Sequence, residues 1–239
     1  MLSIFKNELS RFLASAMGYL VIGLFLVANG LFLWIFKSDY NILNNGFADL
    51  NSFFAISPWL FFFLIPAITM RSFVDEKVTG TIEILKSKPL TNWQILLGKF
   101  WGSFFLITIA LLPTIIYVYS LFNLSNPKGT IDFGPLIGAY IGLFLIALCY
   151  TSIGIFTSII SNNQIVAFLT AVIICFTLFY GFEALNDLKL SQSIDLSYLG
   201  MKYHYNSISR GVLDTRDIFY FISVSVLFLL ISRKILAKT

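Results

Sequence analysis

Three consecutive pieces of the sequence decide the fold: residues 53–70, FFAISPWLFFFLIPAITM; residues 71–99, RSFVDEKVTGTIEILKSKPLTNWQILLGK; and residues 100–122, FWGSFFLITIALLPTIIYVYSLF. Two greasy runs flank a charged, helix-like stretch. A crossing helix needs roughly 20 apolar residues to span about 30 Å of hydrocarbon. Both flanking runs come close to that length, so the charged stretch lies at a membrane surface and joins two crossings.

The same pattern extends outward. The chain is 58% hydrophobic and 12% charged, too little polar surface to keep 239 residues in water as a globule. Runs of membrane length fall at Met17–Phe36, Phe53–Met70, Phe100–Phe122, Leu136–Ile160, Ile165–Phe182 and Ile218–Ser232. Backbone groups in lipid must pair within their own segment, so an all-α integral membrane protein with six transmembrane helices is expected, as a single domain over residues 1–239. Pro66 and Pro113 each remove a backbone donor and predict kinks in the second and third spans. Gly138, Gly142, Gly154 and Ser158 would let neighbours approach the fourth span closely.

Lys and Arg near span ends favour the cytoplasm. Lys6 and Arg11 precede the first span, Arg71, Lys77, Lys86, Lys88 and Lys99 lie between the second and third, and Arg233, Lys234 and Lys238 follow the sixth. These fall on one side of a six-span chain, which places both termini in the cytoplasm. The turn Ser161–Gln164 carries no cation and is assigned to that side by parity alone. The net charge of +4 is distributed between apolar runs, which points to topology and not to nucleic acid. Ahead of the first span, Leu2, Phe5, Leu9, Phe12, Leu13 and Ala16 recur at helical spacing opposite Ser3, Lys6, Asn7, Ser10 and Arg11, which predicts an interfacial amphipathic helix over residues 1–16. The alternative is a plain cytoplasmic extension of the first span.

As drawn, the spans hold no Asp, Glu, Lys, Arg or His, so the chain has no evident means of drawing on an ion gradient. No catalytic residues, metal ligands or cofactor site can be assembled. His204 is the only histidine and lies outside the spans, Cys149 and Cys175 sit in apolar runs, and Gly98–Lys99 lacks the rest of a phosphate-cradling loop. Energy for work would have to come from a partner.

The charged stretch is built as a rigid elbow. Val78, Ile82 and Leu85 fall on one helical face, Pro89 ends that helix near Lys88, and Thr91 with Gln94 forms a capping box that opens the helix into the third span. Such an element can transmit a push from a soluble domain, or it can simply set topology.

The pattern E-K-x-x-G-T-I-E-x-L-x-x-x-P at Glu76, Lys77, Gly80, Thr81, Ile82, Glu83, Leu85 and Pro89, followed by I-L-L-G-K at Ile95–Lys99, resembles the segment between spans two and three of ABC-2-type transporter permeases. The resemblance covers essentially the whole chain. It implies a coupling helix from Thr81 to about Leu90 within the cytoplasmic segment 71–99, docked on a separate ABC ATP-binding subunit that binds ATP. Glu83 would be the polar contact, Glu76 and Lys77 would brace the element, and Lys99 would be a topology anchor or a functional contact. It also implies a second permease subunit, identical or similar, in an inner-membrane dimer.

The outer segment, 183–217, contains Gly211 for a turn, Asp214 to cap the last span, Asp217 in its first turn, and Tyr198, Tyr203 and Tyr205, which suit a membrane interface. In the family this region forms short re-entrant helices; the residues alone equally suit an ordered outer loop. The run R-G-V-L-D-x-R-D-I-x-Y-F at Arg210–Phe221 resembles gliding-motility-associated permeases of Bacteroidetes bacteria, implying work with a further membrane-anchored component. Other expectations are a different ABC-2 exporter carrying lipid, drug or copper-enzyme cargo, a channel lined by residues such as Thr151 and Ser152, and a non-transporting scaffold.

Overall fold

The computed structural model describes residues 1–44, 49–126, 129, 131–187 and 196–238. Among them the chain is all helical, without strands. Six helices are long and apolar enough to cross a membrane: Ala16–Ile35, Asn51–Val78, Asn92–Leu124, Phe133–Ile160, Gln164–Asp187 and Thr215–Lys238. In chain order we label α1 (Leu2–Leu13), α2 (Ala16–Gly30), α3 (Asn51–Thr69), α4 (Arg71–Val78), α5 (Thr81–Ser87), α6 (Asn92–Leu111), α7 (Ile115–Leu124), α8 (Phe133–Ile160), α9 (Gln164–Phe176), α10 (Phe182–Asp187), α11 (Met201–Ser209) and α12 (Thr215–Lys238).

The helix α8 is the central post. Its window is 72% buried, against 22% for the first, fifth and sixth spans, so the latter three present most of their surface outward. Aromatic side chains fill the gaps: Phe25 stacks on Phe61 at 5.6 Å and Phe62 on Tyr150 at 5.3 Å. The small residues of α8 serve different neighbours. Gly154 admits Thr69 of α3, whereas Gly138 and Gly142 admit Ile208 and Tyr205 of α11. The proline expectations resolve differently. Pro113 lies in a 3₁₀ turn, Leu112–Thr114, that interrupts the third span, while Pro66 stays within α3 and the chain breaks step only at Met70. There the Ser158 hydroxyl accepts the Phe73 N–H at 3.0 Å and donates to the Met70 carbonyl at 3.1 Å, a side chain inserted into the helical ladder.

Two helices run past the apolar stretches read from the sequence, and one side-chain reading is corrected. The last helix runs Thr215–Lys238, past the apolar run Ile218–Ser232 at both ends; near its start Asp217 pairs with His204 at 2.7 Å, and near its end Arg233 lies 5.1 Å from the centre of the Trp93 ring. The helix of the third span begins at Asn92, ahead of the apolar run at Phe100, as the capping box of Thr91 and Gln94 predicts. Tyr205, expected to face a membrane interface, is instead buried within the protein and donates its hydroxyl to the Phe54 carbonyl at 2.8 Å.

The chain ahead of the last span is tied down by α11. Gly211 adopts φ 87°, allowing the chain to turn back, and Asp214 accepts the Arg216 N–H at 2.9 Å as the final helix starts. The expected range 183–217 includes residues 188–195, which lie outside the described residues.

Candidate coupling interface

The charged stretch follows its local chemistry. The helix α4 stops at Thr79, and Gly80 takes φ 71°, a left-handed turn that costs a residue with a side chain about 1–2 kcal/mol. The short α5 follows. Lys88, held extended at φ −72° and ψ 152° ahead of Pro89, ends it. Thr91 accepts the Gln94 N–H at 3.3 Å and the Gln94 side chain accepts the Thr91 N–H at 3.1 Å, the reciprocal cap that starts α6. Val78 does not share a face with Ile82 and Leu85. The turn at Gly80 separates them, leaving Val78 71% exposed while Ile82 and Leu85 pack on a small core of Ile4, Ile95, Leu96 and Leu236.

Beneath α5 lies a buried ionic knot. The Lys99 ammonium, 1% exposed, donates to Glu8 Oε1 at 2.7 Å, to Glu76 Oε1 at 2.6 Å and to the Ser72 carbonyl at 2.6 Å, and lies 4.9 Å from the centre of the Phe73 ring. One cation therefore joins α1, α4 and α6. Around it Arg11 reaches Asp75 at 3.4 Å, and Gln164 donates to the other oxygen of Asp75 at 2.5 Å. Lys77 donates to the Ile159 carbonyl and, at 3.3 Å, to that of Ser161. These contacts put the turn Ser161–Gln164 at the same end of the bundle as α1, α4 and α5, a placement that charge counting left to parity.

The residues singled out in the sequence thus divide in two. Glu76 and Lys77 point inward, to the Lys99 knot and to the end of α8. Thr81, Glu83 and Pro89 are exposed at the tip, Gly80 forms the turn, and Leu85 is half-buried beneath. An open groove of about 650 Å³ runs beside the tip, lined by Asn7, Glu76, Val78, Thr81, Leu85 and Lys88 among others. Among the described residues, no group of His, Cys, Asp and Glu could hold a metal ion.

Sequence reasoning missed Glu8, Arg11, Asp75 and Gln164 as partners, and Lys99 as the centre. A signal was present in α1, where Glu8 falls between Ile4 and Phe12 at four-residue spacing; all three are buried. An acid on a buried stripe needs a cation. On α6, Gly98 and Gly102, also four apart, remove the side chains that would collide with Ile4 and Glu8.

Six apolar helices, a tethered segment ahead of the last span and an ionically braced elbow define a multi-pass membrane protein. Residues 2–232 match the family described as ABC-2 family transporter protein, and the chain belongs to it. That membership makes the chain the membrane permease component of an ABC transporter and implies an ABC ATP-binding subunit as its partner. No curated protein matches the chain.

Proposed function

We propose that this permease couples ATP hydrolysis on a separate subunit to movement of cargo across the bacterial inner membrane, with α5 as the coupling helix. The observation that carries this reading is the division within the elbow: Thr81 and Glu83 are exposed at the tip, while Glu76 and Lys77 are fixed to helices that cross the membrane. A load applied to the tip reaches α1, α6 and α8 without passing through a loose loop. The groove beside α5 gives the ATP-binding subunit a surface to seat on. In this reading both termini are cytoplasmic, α1 lies along the inner leaflet, and two permease subunits, identical or similar, flank the path. The chain itself binds no cofactor.

The test is to replace Glu83 with Ala and, separately, Ile84 with Pro, and to measure ATPase association and hydrolysis in membranes. Glu83→Ala is expected to weaken association, and Ile84→Pro, which breaks the helix, to uncouple hydrolysis from transport. Unchanged association and activity in both variants would sink the coupling role. The run Arg210–Phe221 supports a role in gliding motility. Deleting the gene is then expected to abolish surface spreading, with rescue by the wild-type chain; normal spreading in the deletion strain would leave a different ABC-2 exporter as the reading.

A further inference from the structure

Next to the Lys99 knot, between α1 and α4, lies a second, smaller cavity of about 200 Å³. Arg11, Ser15, Arg71 and Ser72 contribute its donors, and Glu8 and Asp75 its carboxylates. The acids are already answered, Glu8 by Lys99 and Asp75 by Arg11 and Gln164. Arg71 is not: its Nε is buried without a partner, and among the described residues no hydrogen bond or ion pair reaches its guanidinium. Ser72 is 1% exposed, and its hydroxyl is likewise buried and unpaired. A half-buried guanidinium and a buried hydroxyl with nothing to hold are costly unless something fills the space between them.

We propose that this cavity seats the phosphate of a membrane phospholipid headgroup on Arg71 and Ser72. Arg71 is the cation of this cluster with no acid of its own, and the planar fork of Arg matches phosphate oxygens. The volume is below the roughly 300–1,000 Å³ of pockets that enclose drug-sized ligands, so the cavity takes a headgroup fragment and not a whole cargo molecule. Its place favours a lipid over a free ion. Phe12 and Ser15 of its lining lie where α1 hands over to the first span, and Leu13, Tyr19 and Leu20, on either side of that handover, are exposed, an apolar surface for acyl chains. A lipid held there would bind α1 to α4 beside the elbow, independently of which cargo the permease moves.

Native mass spectrometry of the full-length permease in detergent tests this, with phosphatidylglycerol as ligand, diacylglycerol as its phosphate-free analogue, and inorganic phosphate as competitor. The wild type is expected to retain one phosphatidylglycerol, Arg71→Gln to hold it about 10-fold more weakly, and Arg71→Lys to recover part of the loss. Ser72→Ala removes a hydroxyl that has no protein partner, so it tests the site even if Arg71→Gln fails to fold; a loss of about 3-fold is expected. Diacylglycerol should leave no adduct, and millimolar phosphate should not displace the lipid. Retention unchanged in the folded variants, equal binding of diacylglycerol, or displacement by inorganic phosphate overturns the proposal.

Discussion

At the scale of single residues, Lys99 has the largest consequence. It is the one ammonium shared by two carboxylates that are themselves 3% and 15% exposed. Removing a partner from a buried ion pair strands the remaining charge and costs about 3–5 kcal/mol, more than the pair contributes relative to a well-packed apolar replacement. Lys99→Met is therefore expected to be strongly destabilising, read as a fall in the thermal midpoint of the detergent-solubilised permease. The triple variant Lys99→Met, Glu8→Gln, Glu76→Gln should recover much of the loss, because no charge is left buried. A single substitution that melts like the wild type would mean the knot is solvated and mechanically idle. The knot also marks the limit of what single residues reveal in a sequence. Lys99 and Glu8 are 91 positions apart, and Lys99 alone at a span end looks like any topology anchor.

At the scale of elements, what was local was legible. The stop at Pro89, the cap by Thr91 and Gln94, and the turn at Gly211 depend on neighbours within a few positions, and each stands in the structure as the residues dictate. What depended on another helix was not. The face shared by Val78, Ile82 and Leu85 required one unbroken helix, and the left-handed Gly80 divides it. The small residues of α8 announced close packing without saying against what. The joint at Met70 is the sharpest case, since α3 passes into α4 through a hydroxyl supplied by Ser158, 88 positions away. Ser158→Ala would leave the Phe73 N–H and the Met70 carbonyl to re-pair or go unsatisfied, at a cost of about 1–3 kcal/mol. Its expected signature is a loosened elbow, with faster hydrogen exchange across residues 71–78 and little change in the distal half of α8. Equal exchange in both segments would mean the joint holds without it.

At the scale of the molecule, the contacts establish that α1, the elbow, the Ser161–Gln164 turn and the end of α12 share one end of the bundle. Ile4, Leu96 and Leu236 meet in a single small core, and Asp75 is touched from both Arg11 and Gln164. The helix α11, through Tyr205 and Phe54, belongs to the other end. In the reading proposed above the elbow end faces the cytoplasm, because cations near the span ends cluster with the elbow. Cysteine labelling can check both statements without first building a cysteine-free chain. The native thiols, Cys149 and Cys175, are fully buried, so neither should react with a membrane-impermeant maleimide. Glu83→Cys at the exposed tip is expected to label in inverted inner-membrane vesicles and to stay protected in intact spheroplasts. Asn206→Cys, exposed on α11, should show the opposite pattern. Labelling of both positions from one side would break the six-span topology, and a clean reversal of the pair would keep the fold but turn the coupling helix away from any cytoplasmic ATPase.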